Sequence, residues 1–338
     1  MAIVIGWDIG GVHLKAARAE DGRITKAVQY ASPLRDGTGR LLQAFAEARK
    51  EMGRADRNVV TMTGELADTF ASRKEGVACL VELAARELGA ISVYAGRAGY
   101  VRPEDAGRHS VDIASANWHA CAALIASKHT SALFIDLGST TTDIVPIVDG
   151  KVAARGYTDA QRLAAGELIY TGLVRGFVMA IADRAPLDGV WTPLINENFA
   201  TMADVHRILG TLPPGVDHMA TVDGREKTVE ASHARLARMV GSDAEEAGDA
   251  TWTLLARWFA EAQLRAIADA AALVMSRGAL ASGTPIIAAG IGLSVVAEIA
   301  RRLGCAHATF DTLLDIAPEA RAAACHCAPA VALAALSS

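Results

Sequence analysis

Apolar positions in this chain follow two rhythms. Short unbroken runs such as Ile3-Val4-Ile5-Gly6-Trp7 and Val59-Val60-Thr61-Met62 read as buried strands, and stretches with apolar residues every three to four positions read as helices. The first part of the chain gives strands over 3–7, 12–18 and 24–29, a helix over 38–52, and a strand over 59–62. A helix over about 69–88, a strand over 91–94 and a small-residue helix over 113–127 follow. The order then restarts with strands over 132–137, 141–148 and 151–157 and a helix over about 160–182. Residues 184–248 are mixed and polar, with Pro213-Pro214 and Asp223-Gly224, and read as an insertion. A long helix over about 249–278, a strand over 285–289, a helix to about 303 and an Ala-rich helix over about 317–336 close the chain. Asp21-Gly22 and Asp149-Gly150 mark hairpin turns.

The restart makes an internal repeat with a period near 130 residues, which is an α/β architecture in two units. The expected division is 1–130 and 131–314, with the insertion at about 184–248 inside the second unit. A chain of 338 residues that is 51% hydrophobic can bury such cores. A net charge of -5 offers no basic face for nucleic acid. No apolar stretch has the length of a membrane span, and the N-terminus has no basic segment before its first strand. Five scattered cysteines suit a reducing compartment, so a cytoplasmic protein is expected.

The chemistry concentrates at two corresponding places. Asp8-Ile9-Gly10-Gly11 ends the first strand of the first unit, and Asp136-Leu137-Gly138-Ser139 ends the first strand of the second. Each is a hairpin with a carboxylate beside its tip. Gly10, Gly11 and Gly138 let backbone approach a ligand closely, and successive N–H groups in such a turn form an anion-binding concavity. Ser139, Thr140 and Thr141 add hydroxyl donors, and Lys15 adds a point charge suited to phosphate. Asp8 and Asp136 would repel phosphate unless Mg²⁺ lies between, so they are the expected metal residues, with no organic cofactor. One acidic hairpin alone would be an ordinary turn; two at corresponding positions suggest jaws.

Further residues are weighed against plainer roles. Glu65 follows a strand end, as cleft residues do, or is a helix-capping acid. Trp118 stacks on a ring or fills the core. Asp159, Arg162 and Glu167 face a ligand or form structural ion pairs. Asn198 in the insertion binds a second substrate or a second metal, or belongs to a helix cap. Gly290-Ile291-Gly292 after a strand is a weak nucleotide signal. Cys325-His326-Cys327 is spaced too tightly for a tetrahedral zinc site.

These motifs, in this order, resemble those of the acetate kinase, sugar kinase, chaperone ATPase and actin superfamily. That resemblance implies two ribonuclease-H-like domains around a cleft, with the C-terminal segment 315–338 completing the first. Asp8 to Lys15 and Asp136 to Thr142 match its phosphate motifs, and Gly290 and Gly292 its nucleotide-base segment. Met62-Thr63-Gly64-Glu65-Leu66, Ser115-Ala116-Asn117-Trp118, Thr158-Asp159-Ala160-Gln161-Arg162 and Gly166-Glu167-Leu168-Ile169-Tyr170-Thr171-Gly172 are narrower. So is Glu197-Asn198-Phe199-Ala200-Thr201. They resemble hydantoinase/oxoprolinase-like proteins of tetrahydromethanopterin-linked one-carbon metabolism, including synthases of methanofuran and methylofuran biosynthesis. The resemblance implies a transferase that condenses an aminomethylfuran-methyl diphosphate with the phenol of a glutamyl-tyramine or tyrosine unit, releasing pyrophosphate. Asp8, Lys15 and Asp136 would then be catalytic, and the partners small molecules, with a homodimer left open. The competing expectation is an ATP-dependent kinase or ATPase of the same superfamily.

Overall fold

The computed structural model describes residues 2–338. Strands Ile3–Ile9 (β1), His13–Glu20 (β2) and Arg23–Ala31 (β3) form an antiparallel meander. Helix Gly39–Met52 (α1) leads to Arg57–Met62 (β4). Helix Arg73–Leu88 (α2) leads to Ile91–Tyr94 (β5), and Tyr100–Val101 (β6) ends a sheet ordered β3-β2-β1-β4-β5-β6. β4 runs parallel to β1 and to β5. Paired on both edges and covered on both faces, β1 must be apolar along its length, which explains its unbroken run.

Helices Ser110–Ile113 (α3) and Asn117–Ala126 (α4) then cross to the second sheet. There Ser131–Leu137 (β7), Thr142–Val148 (β8) and Lys151–Val152 (β9) repeat the meander. Helix Asp159–Ala164 (α5) precedes Leu168–Ile169 (β10), which pairs with β8. Short helix Val178–Ile181 (α6), hairpin Arg184–Leu187 (β11) and Val190–Pro193 (β12), and helices Met202–Ile208 (α7) and Val229–Met239 (α8) follow. Helix Asp249–Met275 (α9) returns the chain to Ile286–Gly290 (β13). Helix Leu293–Arg302 (α10) then leads to His307–Thr309 (β14). β13 is parallel to β7 and β14, giving the order β10-β8-β7-β13-β14. The two sheets thus share one connectivity, that of the actin-like two-domain fold.

One core joins the facing sides of both sheets, with Val4, Val59, Phe134 and Ile287 packed around α4 and the C-terminal helices Pro318–Ala324 (α11) and Ala328–Leu336 (α12). α12 is apolar on every side, as a fully buried helix must be. It crosses β1 at Gly6, where an added Cβ would lie 2.1 Å from the Ala330 carbonyl oxygen. Gly6→Ala is therefore expected to cost about 3 kcal/mol, read as a lower denaturant midpoint, because backbone rather than a flexible side chain must yield. Val178, Met202, Leu236, Trp252 and Phe259 make a separate core for the inserted region. No helix among the described residues is long and apolar enough to cross a membrane.

Several expected helices are shorter than their patterns. The stretch 160–182 holds α5, β10 and α6, because Gly166 at φ +68 stops α5 and Gly172 packs against the second tip. The stretch 113–127 is broken at Ser115, at φ +52. The closing helix is two, joined through Cys325–Cys327. α2 begins at Arg73, where the Ser72 side chain accepts the Glu75 N–H, and not at 69. The Asp-Gly turns hold: Asp21 and Gly22, like Asp149 and Gly150, all have positive φ, as a twisted two-residue hairpin turn requires.

Candidate active site

The two hairpin tips face a cleft of about 670 Å³ lined by Asp8, Gly10, Gly11, Lys15, Trp118, Asp136, Gly138, Ser139, Thr140, Thr141, Asp159 and Arg162. β1–β2 register places Asp8 opposite Lys15, and β7–β8 register places Asp136 opposite Asp143. The repeat therefore puts a lysine and an aspartate at equivalent positions. Asp143 also lines the cleft. Its motif alone gives it no role, although its place opposite Asp136 follows from hairpin register.

Each tip is held from behind so that its amides stay free. Gly10 N–H donates to His13 O at 2.9 Å, and Gly11 O accepts from Leu34 N at 3.0 Å. Gly138 N–H donates to Thr141 O at 3.0 Å, while Ser139 O accepts from Val174 and Arg175. Gly172 allows this second contact, since an added Cβ would lie 2.4 Å from Thr140 N. No hydrogen bond among the described residues uses the N–H of Gly11, Val12, Ser139 or Thr140. Lys15, Arg35 and Arg175 line the same cleft, and burial with Arg35 nearby lowers the Arg175 guanidinium.

The carboxylates beneath the tips are crowded. Asp8 is 2% exposed, and its Oδ1 has no partner. Burial raises its pKa, against the pull of Lys15, whose Nζ lies 3.8 Å from Asp8 Oδ2, and of Asn117. Asp136 is pushed up to about 7 by burial and by the Asp143 charge, with Lys15 opposing. Burial would lower Lys15, but Asp8 and Asp136 together raise it, so it stays a cation. Burial raises Asp143 too, opposed by the Arg162 guanidinium at 2.7 Å.

Arg162 is 1% exposed and acts as a brace. It also donates to Glu167 O at 2.8 Å and lies 4.0 Å from the centre of the Trp118 ring. Trp118 reaches the cleft, but this guanidinium occupies one of its faces. Glu65 lies just behind the wall and accepts from Ser115 Oγ at 2.8 Å. Asp159 is held by Arg73 at 2.5 Å across the cleft, so Arg73, from α2, ties the two halves together.

Four expected ligand residues lie elsewhere. Glu167 is fully buried and accepts the N–H groups of Arg155 at 2.8 Å and Gly156 at 2.9 Å, with Arg277 as its cation. Asn198 does not line the cleft. Gly290 and Gly292 lie behind it: added Cβ atoms would sit 2.2 Å from Leu137 O and from the Leu137 side chain. Packing against β7 accounts for both glycines. No group of three or more His, Cys, Asp or Glu among the described residues is placed to hold a metal. Cys325 Sγ turns to Asp311 and Cys327 Sγ to Val28 O.

The insertion reaches the cleft mouth. Met219 lines it, and His218 lies 2.8 Å from His13 on β2. His13 is pushed down to about 3 by burial, with Lys15, His218 and Arg175 adding repulsion. It therefore stays neutral in the fold while the unfolded chain protonates near 6.5. Stability is whole above that pH and falls below it by about 1.4 kcal/mol per unit, continuing to about pH 3. At pH 5 the loss from His13 is about 2 kcal/mol, and His13→Gln should remove it in denaturant titrations at pH 7 and 5.

A hydantoinase/oxoprolinase family model matches residues 56–337. A (4-{4-[2-(gamma-L-glutamylamino)ethyl]phenoxymethyl}furan-2-yl)methanamine synthase of Methanocaldococcus jannaschii is 31% identical over 252 residues, 73% of this chain and 74% of that protein. The synthase of the same name from Methanococcus vannielii is 34% identical over 113 residues, 33% of this chain and 50% of that protein. Among solved structures, nucleotide-free acetone carboxylase aligns with 89% of this chain and 67% of its own, at 10% identity and a TM-score of 0.50, a likeness of fold. With a match across most of its length and a relative this similar, the chain is an enzyme that belongs to the hydantoinase/oxoprolinase family.

Proposed function

We propose that this enzyme is a transferase that forms an aryl ether. It condenses an aminomethylfuran-methyl diphosphate with the phenol of a glutamyl-tyramine or tyrosine unit and releases pyrophosphate. The observation that carries the reading is the pair of facing tips with unused amides around Lys15, in a chain 31% identical to a synthase whose product name contains a phenoxymethyl-furan. The amides of Gly11, Val12, Ser139 and Thr140 would take the diphosphate oxygens, and Lys15 would counter their charge.

Asp8 and Asp136 fit a divalent cation. Asp8 Oδ1 is buried without a partner, Asp136 is raised by burial, and Lys15 is the one cation shared between them. Bound there, Mg²⁺ would supply charge neutralisation for the diphosphate. In the reaction the furan-methyl carbon loses its bond to the diphosphate oxygen and gains one to the phenol oxygen. The phenolic proton leaves with pyrophosphate. A cleft shielded by both sheets keeps water from capturing the carbon.

The ATP reading leaned on Gly290 and Gly292, which packing against Leu137 explains. The discriminating assay measures pyrophosphate from the furan diphosphate with Mg²⁺, with and without acceptor, beside a tube containing ATP. Acceptor-dependent pyrophosphate is the expected result. Phosphate from ATP with the furan diphosphate untouched would overturn the reading.

A further inference from the structure

The cleft lining carries charges of both signs, with Asp8, Asp136 and Asp143 beneath the tips and Arg162 beside Trp118. The tips with Lys15, Arg35 and Arg175 suit an anion, while Ser115 and Asp159 lie in its wall with Glu65 behind them. Ser115 is the unusual residue. It is 8% exposed and sits at φ +52, where the chain breaks between α3 and α4. A non-glycine residue there is strained where glycine would not be, so the serine is held for its side chain.

The hydroxyl has a fixed direction. Its hydrogen goes to Glu65 Oε1 at 2.8 Å, the shorter of two acceptors, with Asp159 Oδ2 the longer at 3.4 Å, which leaves the oxygen lone pairs as acceptors. Glu65 is 1% exposed, its other oxygen has no partner, and Arg73 and Arg162 are engaged by Asp159 and Asp143. The wall therefore offers as acceptors the Ser115 oxygen and the Asp159 oxygen that Arg73 does not hold, backed by Glu65, which has no ion pair of its own and shares the Arg73 field with Asp159.

We propose that Ser115 and Asp159 form a subsite for a primary ammonium group, with Glu65 as the positioning residue that orients the Ser115 hydroxyl. The inference rests on the furan reading above: a donor with a diphosphate at one end and an aminomethyl group at the other would span the cleft from tips to subsite. An ammonium has three donors and no acceptor, so it suits this wall better than a group without donors or an anion.

The test is calorimetric binding without acceptor, using pyrophosphate, the aminomethylfuran-methyl diphosphate, and its analogue with methyl in place of aminomethyl. The native protein is expected to bind the amine compound about tenfold to a hundredfold tighter than the methyl compound, the worth of a hydrogen bond to a charged group. Ser115→Gly should erase most of that gap; relief of the backbone strain is opposed by the loss of the Glu65 hydrogen bond, so circular dichroism and the melting temperature check that the variant is folded. Asp159→Asn should narrow the gap as well. Equal binding of both furans, each above pyrophosphate, would overturn the ammonium subsite alone. Furan diphosphates that bind no better than pyrophosphate would overturn the furan reading and the subsite together. A gap unchanged in Ser115→Gly would overturn the role of the hydroxyl.

Discussion

Lys15→Met should lower acceptor-dependent pyrophosphate release by about a hundred- to a thousandfold, the usual effect of removing one preorganised charge-stabilising donor. The loss should fall on kcat more than on KM, because the lysine matters most when the diphosphate departs. Lys15 sits in β2 opposite Asp8, where hairpin register fixes it. It is the cation shared by Asp8 and Asp136, and their fields keep it charged despite burial. A linear apolar side chain of similar length fills the space, but Asp8 and Asp136 lose their shared cation, so a lower melting temperature is expected and circular dichroism must show the native fold before kcat is compared. Activity within threefold of native would show that the tips work without it.

Arg162→Leu should be the most destabilising single change in the cleft wall, at about 3–5 kcal/mol. The guanidinium holds Asp143 at 2.7 Å, satisfies Glu167 O at 2.8 Å and covers the Trp118 ring. Without it the partly buried Asp143 loses its ion-pair partner, keeps only the field of Lys15, and adds repulsion to Asp136. The double variant Arg162→Leu with Asp143→Asn should recover part of the loss, because the stranded charge is gone. Denaturant titration of the two single variants and the double variant measures the coupling. Strict additivity would mean that the two side chains do not act as a pair.

Much of the fold and part of the site were legible in the sequence. The two meanders follow from apolar runs ended by Asp-Gly or Asp-x-Gly, and the parallel strands β4, β5 and β13 from short apolar runs set between helices. Asp8, Lys15, Asp136 and the tip glycines lie together because strand register and a structural repeat place them, and both features leave local marks. Glu167, Gly290 and Gly292 misled because a glycine or acid needed for packing looks, in sequence, like one needed for a ligand. Contacts from far along the chain separate the two cases: Arg277 for Glu167, and Leu137 for both glycines. The same limit hid Arg73 and Arg175, ordinary charges until folding brings them to the cleft. Ser115 carried no local signal, since 113–127 reads as one small-residue helix and a positive φ has no sequence mark.

The central claim is that the reacting centre is the furan-methyl carbon and not phosphorus. It is tested most directly with an acceptor carrying ¹⁸O in its phenol group, incubated with the furan diphosphate, Mg²⁺ and enzyme, followed by mass spectrometry. Attack at carbon places the label in the aryl ether and leaves pyrophosphate unlabelled, which is the predicted result. Label found in a phenyl phosphate ester, with no ether formed, would contradict the account and assign the enzyme to phosphoryl transfer.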